Sequence, residues 1–144
     1  MSFRVWLCAA ALFGLTSVFA AAYGAHGLTG ITTSATSLKI YDTAQHFHAL
    51  HSIVLLGIAV LLAATEGWRG GLADWALQIS AGTFALGMLL FSGGIYLGVV
   101  TGAHTGLVIV PVGGGLFLIG WLALAISAFG FGRNSSDSLQ RKAL

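Results

Sequence analysis

Residues 75–132 read WALQISAGTFALGMLLFSGGIYLGVVTGAHTGLVIVPVGGGLFLIGWLALAISAFGFG, a run of 58 positions without one charged side chain. As a single helix this run would extend roughly 87 Å at about 1.5 Å per residue, nearly three times the apolar thickness of a bilayer. It therefore predicts two helices folded back on each other. The turn is expected at Thr101-Gly102-Ala103-His104-Thr105-Gly106, where glycines and small polar residues interrupt the apolar pattern.

Upstream, residues 43–65 are also uncharged and make one further span. Residues 5–38 are uncharged too, but only Val5 to Tyr23 is apolar; the rest is a Ser/Thr-rich stretch ending near Ser37. The expected architecture is an all-α integral membrane four-helix bundle, with helices near 5–23, 46–65, 76–100 and 107–130. They form a single domain over 1–132, followed by a short polar tail, 133–144. Composition agrees: 57% of the residues are hydrophobic and 7% charged, far below the roughly 25% of a water-soluble domain. Arg4, the apolar run and Ala20-Ala21-Ala22 imitate a cleaved signal peptide, but the run is read as a retained span.

Four spans put the N-terminus, the 66–75 loop and the tail on one side, with Arg4, Arg69, Arg133, Arg141 and Lys142. The opposite side carries only Lys39. Positive charge is retained in the cytoplasm, so both termini are expected there. Asp137 interrupts the tail's three cations and no binding module is recognisable, so no nucleic-acid partner is expected. Cys8 is the only cysteine, which excludes an internal disulfide and a thiol-ligated metal framework.

Within the spans, Gly94, Gly98 and Gly102 recur every four residues, with Gly87 seven before Gly94. Lipid gives helices no hydrophobic reason to associate, so small residues that let backbones approach predict a crossing along this ridge. In the fourth span Pro111 is followed by Gly113, Gly114 and Gly115, a pattern that predicts a kink or local unwinding. A helix opened by Ser37 as N-cap is expected to run into the second span. On it Leu38, Tyr41, Ala44, His48, His51, Leu55, Ile58 and Leu62 form one stripe at intervals of three and four.

All five histidines, His26, His46, His48, His51 and His104, are expected at or near the non-cytoplasmic face. His48 and His51, three apart, project from one side of the helix, with Tyr41 two turns earlier and His26 entering from the loop after the first span. A ligand cluster of His26, Tyr41, His48 and His51 is the candidate site; converging neutral imidazoles bind Zn²⁺ or Cu²⁺ or supply an axial haem ligand. The competing reading is a structural set of histidines bonded to backbone carbonyls. No cofactor is assigned by the residues alone.

Several landmarks together resemble a known family. They are Gly24-Ala25-His26, Phe47-His48-Ala49-Leu50-His51-Ser52, Leu90-Phe91-Ser92-Gly93 with Tyr96, Pro111 with Gly113-Gly114, and Gly120-Trp121-Leu122. In this order and spacing, from about Phe19 to Ala128, the chain is similar to the YgdD-like membrane proteins of bacteria, whose eukaryotic relatives are called transmembrane protein 256. Gly94 stands where the family commonly has a serine, and Val110 where it commonly has a threonine. The resemblance implies a four-helix domain in the bacterial inner (plasma) membrane and supplies no activity.

Catalysis has the least support. The acidic residues Asp42, Glu66, Asp74 and Asp137 all lie outside the spans, and no nucleophile, metalloprotease or phosphate-loop motif is present. Glycine-ridged apolar helices with scarcely any soluble part predict a non-catalytic accessory or assembly subunit. Its partners would be membrane lipids and other membrane-protein subunits. Histidine-based metal, haem or small-ligand binding is the alternative, and a small channel or transporter resting on Pro111 is the third reading.

Overall fold

A computed structural model describes residues 1–31, 34–65, 71–102 and 108–142, with Thr29 and 132–142 as backbone alone. Four helices cover almost all of it: α1 (Phe3–His26), α2 (Ala35–Ala64), α3 (Leu72–Thr101) and α4 (Val110–Lys142). A 3-10 turn at Leu28–Gly30 joins the first two. Phe3–His26, Ala35–Ala64, Leu72–Thr101 and Val110–Phe131 are each long and apolar enough to span a membrane.

α2 begins well before the expected span. Its cap is Ser34, in extended conformation, whose side chain accepts from the Ser37 N–H at 3.4 Å; Ser37, the expected cap, sits inside the first turn. Lys39 and Asp42 are thus helical, because a helix of 30 residues outreaches the hydrocarbon and carries its polar turns beyond it. At the other end of the chain, α4 runs on as backbone to Lys142, through most of the expected tail. The 66–75 loop lies outside the described residues up to 70, and the 101–106 turn from 103 onward, His104 included.

The helices alternate in direction. Tyr41 at the start of α2 donates its hydroxyl to the Ala20 carbonyl near the end of α1 (2.9 Å). Near the start of α1, the Trp6 indole N–H donates to Gln78 Oε1 in α3 (2.7 Å), and the Gln78 amide reaches back to the Met1 carbonyl (2.8 Å). α1 packs on α2, α2 on α3, and α3 most extensively on α4. Trp6, Leu55, Ile58, Leu77, Phe84, Met88 and Phe117 fill the centre.

The tight seam is between α3 and α4, and it runs through Gly87 on α3 and Gly113, Gly120 and Gly130 on α4. A Cβ on Gly113 would land on the backbone of Phe91, 2.9 Å from its Cα, and one on Gly130 would meet the Ala73 Cα at 2.8 Å. At Gly120 it would meet the Phe84 ring at 2.7 Å, and at Gly87 the Phe117 ring at 2.8 Å and the Gly113 carbonyl at 3.2 Å. Gly114 is in ordinary contact only, 3.9 Å from the Phe91 ring. Gly94 is buried and Gly98 half-buried on α3. Gly102 caps α3 in the left-handed region (φ 68°), and no described residue stands within 4 Å of where its Cβ would be, so its lack of a side chain serves backbone geometry.

Two buried hydroxyls tie the seams across helices, Ser80 to the Gly120 carbonyl (2.8 Å) and Ser92 to the Ala44 carbonyl (2.9 Å). Beside Pro111 the helix is interrupted: Val108 is helical, Ile109 is a turn and α4 starts at Val110. Pro111 thus occupies the first turn of α4, where no N–H is required.

Candidate functional site

The α2 stripe is buried as its spacing predicts, from Tyr41 and Ala44 through His48 and His51 to Leu55, Ile58 and Leu62; Leu38, at its outer end, is 36% exposed. Both imidazoles are therefore inside the bundle. Residues three apart on a helix diverge by about 60°, and here that angle sends the two rings into different interfaces.

His48 faces α1 and α3. Its Nε2 lies 3.3 Å from Thr16 Oγ1, and its Nδ1 3.4 Å from the Tyr96 hydroxyl. Thr16 already donates its only hydroxyl hydrogen to the Leu12 and Phe13 carbonyls (2.9 and 3.1 Å), so toward His48 it acts as acceptor. That assigns the proton to Nε2 and leaves Nδ1 to accept from Tyr96. Tyr96 also packs on Tyr41, with ring centroids 4.8 Å apart, and Phe13 meets the imidazole edge-on at 5.8 Å. Both nitrogens of this imidazole are used in joining three helices.

His51 faces α3 and α4. Its Nδ1 is 2.8 Å from the Phe47 carbonyl, which only accepts, so Nδ1 carries the proton. The ring stacks on Phe117 at 3.9 Å and 13°, with Phe47 at 5.6 Å, Phe84 at 5.2 Å and Trp121 at 6.1 Å around it. Nε2, a bare lone pair on a ring only 1% exposed, has no hydrogen-bond partner among the described residues.

The expected cluster of His26, Tyr41, His48 and His51 is thus divided. Tyr41 and His48 share Tyr96, His51 lies in a separate aromatic box, and His26 is exposed on the last turn of α1. Among the described residues no three His, Cys, Asp or Glu side chains come together as a metal ion requires. Thr16 and Phe117, which complete the two environments, carried no signal in the sequence.

A third feature lies on the outside of α1 and α2. A groove of about 400 Å³, open to the lipid, is lined by the small residues Ala10, Ala11, Gly14 and Ser17 on α1 and Ala49 and Ser52 on α2, together with the larger Val18, Ile53 and Leu56. A Cβ on Gly14 would meet nothing within 4 Å. Packing within the chain therefore gives no reason for a glycine there.

A family described as "Protein of unknown function (DUF423)" matches residues 20–114. A UPF0382 membrane protein of Haemophilus influenzae is 32% identical over 124 residues, 86% of this chain and 93% of the relative. One from Staphylococcus aureus is 34% identical over 131 residues, covering 89% and 98% respectively. The UPF0382 inner membrane protein YgdD of Escherichia coli is 31% identical over 128 residues, 89% of this chain and 92% of YgdD. No solved structure matches the chain.

Proposed function

We propose that this chain, which belongs to the family of membrane proteins of unknown function DUF423, is a non-catalytic accessory or assembly subunit of the bacterial inner membrane. It acts by packing laterally against a larger membrane complex. The observation that carries this reading is Gly14 in the groove between α1 and α2, a small residue facing space that none of the described residues fills. Small residues drive association in lipid because they let a second backbone come close, and a helix laid along Ala10, Ala11 and Gly14 would gain that contact. α1 is also the least enclosed span, with Leu12, Leu15, Val18 and Phe19 all more than half exposed.

The test is photocrosslinking in intact membranes from a reactive residue at position 14, compared with one at Leu118, which is 74% exposed on α4. A discrete protein adduct from 14 and none from 118 supports lateral docking through α1; lipid adducts alone from both positions overturn it.

The bundle is oriented with both termini in the cytoplasm, since five cations fall on that side against Lys39 on the other. A reporter fused after Leu144 is expected to be active in its cytoplasmic form. Activity of a periplasm-only reporter at that position would reverse the orientation.

A second reading has its own observation. The bare Nε2 of His51, held by an Nδ1 bond to a backbone carbonyl, is the arrangement that prepares an imidazole to accept a proton donor or a metal. Elemental analysis and an absorption spectrum of protein purified without a histidine tag decide it. A stoichiometric metal or a Soret band supports the site, and the absence of both removes metal and haem.

A further inference from the structure

At the end of the bundle opposite the chain's N-terminus, the last turns of α1 and the first turns of α2 enclose a second cavity of about 410 Å³. Its walls are of two kinds. Ala21, Ala25, Leu28 and Leu38 are apolar, whereas Tyr41, Asp42 and Gln45 bring polar groups to one edge. Gly24 keeps the cavity's shape: a Cβ there would stand 2.9 Å from the Tyr41 ring and push it away from its bond to Ala20.

The depth of this cavity follows from helix length. α2 has 30 residues, about 45 Å, against a hydrocarbon core of about 30 Å. Its C-terminal half is apolar to Ala64, and Ser37, Lys39, Asp42 and Thr43 lie in its first turns, so the surplus length is at the N-terminal end. Asp42 is therefore at the level of lipid headgroups, with the apolar walls reaching toward the chains.

The electrostatics favour a cation. The negative end of α1 and the positive end of α2 meet at this cavity and offset one another, so the Asp42 carboxylate, exposed at its edge, sets the sign. Asp42 forms no ion pair or hydrogen bond among the described residues, Lys39 three positions away included. A carboxylate at the edge of a low-dielectric medium gains most from a partner that is both charged and a hydrogen-bond donor. A primary ammonium is such a partner. Lys39, exposed one turn before Asp42, is available to a phosphate.

From this cavity, its depth and a carboxylate unpaired among the described residues, we propose that the chain holds a phospholipid with a primary-amine headgroup between α1 and α2, its ammonium on Asp42 and its glycerol and upper chains against Ala21, Ala25 and Leu28. The site is separate from the Gly14 groove and stands or falls independently of the accessory-subunit reading.

The experiment uses the full chain in mild detergent with added dioleoyl phosphatidylethanolamine, phosphatidylcholine or phosphatidylglycerol. Native mass spectrometry reads the lipid retained, and thermal unfolding reads the stabilisation. The chain is expected to keep one phosphatidylethanolamine and to unfold at higher temperature with it than with either other lipid. Trimethylation in phosphatidylcholine removes the donors while keeping the charge, which isolates the hydrogen bond. Asp42→Asn is expected to lower retention of phosphatidylethanolamine about tenfold, to the level of phosphatidylcholine. Ala25→Phe, which fills the cavity, is expected to lower retention of all three without lowering the lipid-free unfolding temperature. Equal retention of the three lipids by the unaltered chain, or an undiminished preference in Asp42→Asn, would overturn the proposal. Stronger retention of phosphatidylglycerol would assign the site to Lys39 and an anionic headgroup instead, and overturn it equally.

Discussion

Gly113→Ala is expected to destabilise the bundle by about 2–3 kcal/mol, although it adds a single methyl group. The new Cβ would fall on the Phe91 backbone, with Phe91 Cα and Cβ both at 2.9 Å, and backbone cannot rotate aside as a side chain can. To relieve the overlap α3 and α4 must separate, which also weakens the approach of Gly120 to Phe84 and of Gly130 to Ala73 along the same seam. Gly115→Ala, two residues away on the same helix, meets nothing within 4 Å and removes the penalty of a helical glycine, so it is expected to cost nothing. Thermal aggregation in detergent distinguishes the two. Matching midpoints for Gly113→Ala and Gly115→Ala would show that α3 and α4 are not in backbone contact there.

Phe117→Ala is the second large effect, expected near 3 kcal/mol. In lipid the loss is not hydrophobic transfer, because the solvent outside is as apolar as the core; it is the contacts of a ring that nothing refills. Phe117 is 4% exposed, stacks on His51 at 3.9 Å and touches Phe47 and Phe91 at 5.8 and 5.6 Å between centroids. Leu118→Ala, at a position 74% exposed, removes contacts with lipid alone and is expected to change stability by less than about 0.5 kcal/mol. The same unfolding measurement reads both, and equal losses at 117 and 118 would contradict the aromatic box around His51.

Uncharged runs made the spans legible, because a bilayer excludes charge over a known length. The intervals of three and four from Tyr41 to Leu62 likewise made the buried face of α2 legible, since a helix has a fixed period. What the pattern did not show was where neighbouring helices lie. The chain has 21 glycines, and only the direction of each missing Cβ separates Gly113 and Gly130, which are at a backbone contact, and Gly120, which is against the Phe84 ring, from Gly115 and Gly93, which face open space. The environment of each histidine depends on the same unknown. Shared spacing placed His48 and His51 on one side of α2, but α1, α3 and α4 meet that side at different angles and claim one ring each. The helix expected to open at Ser37 opens at Ser34 instead, because two serines three apart can both cap and only the backbone conformation, extended at Ser34, decides between them.

The accessory-subunit reading is tested most directly by native electrophoresis of membranes solubilised in a mild detergent. The protein is expected in a band far heavier than its own 14.8 kDa chain with a detergent belt, and Gly14→Leu is expected to release it from that band. The variant should keep its own unfolding temperature, because the added side chain enters the open groove and no part of the bundle. Migration of the unaltered chain as a small particle, alone, would contradict the account.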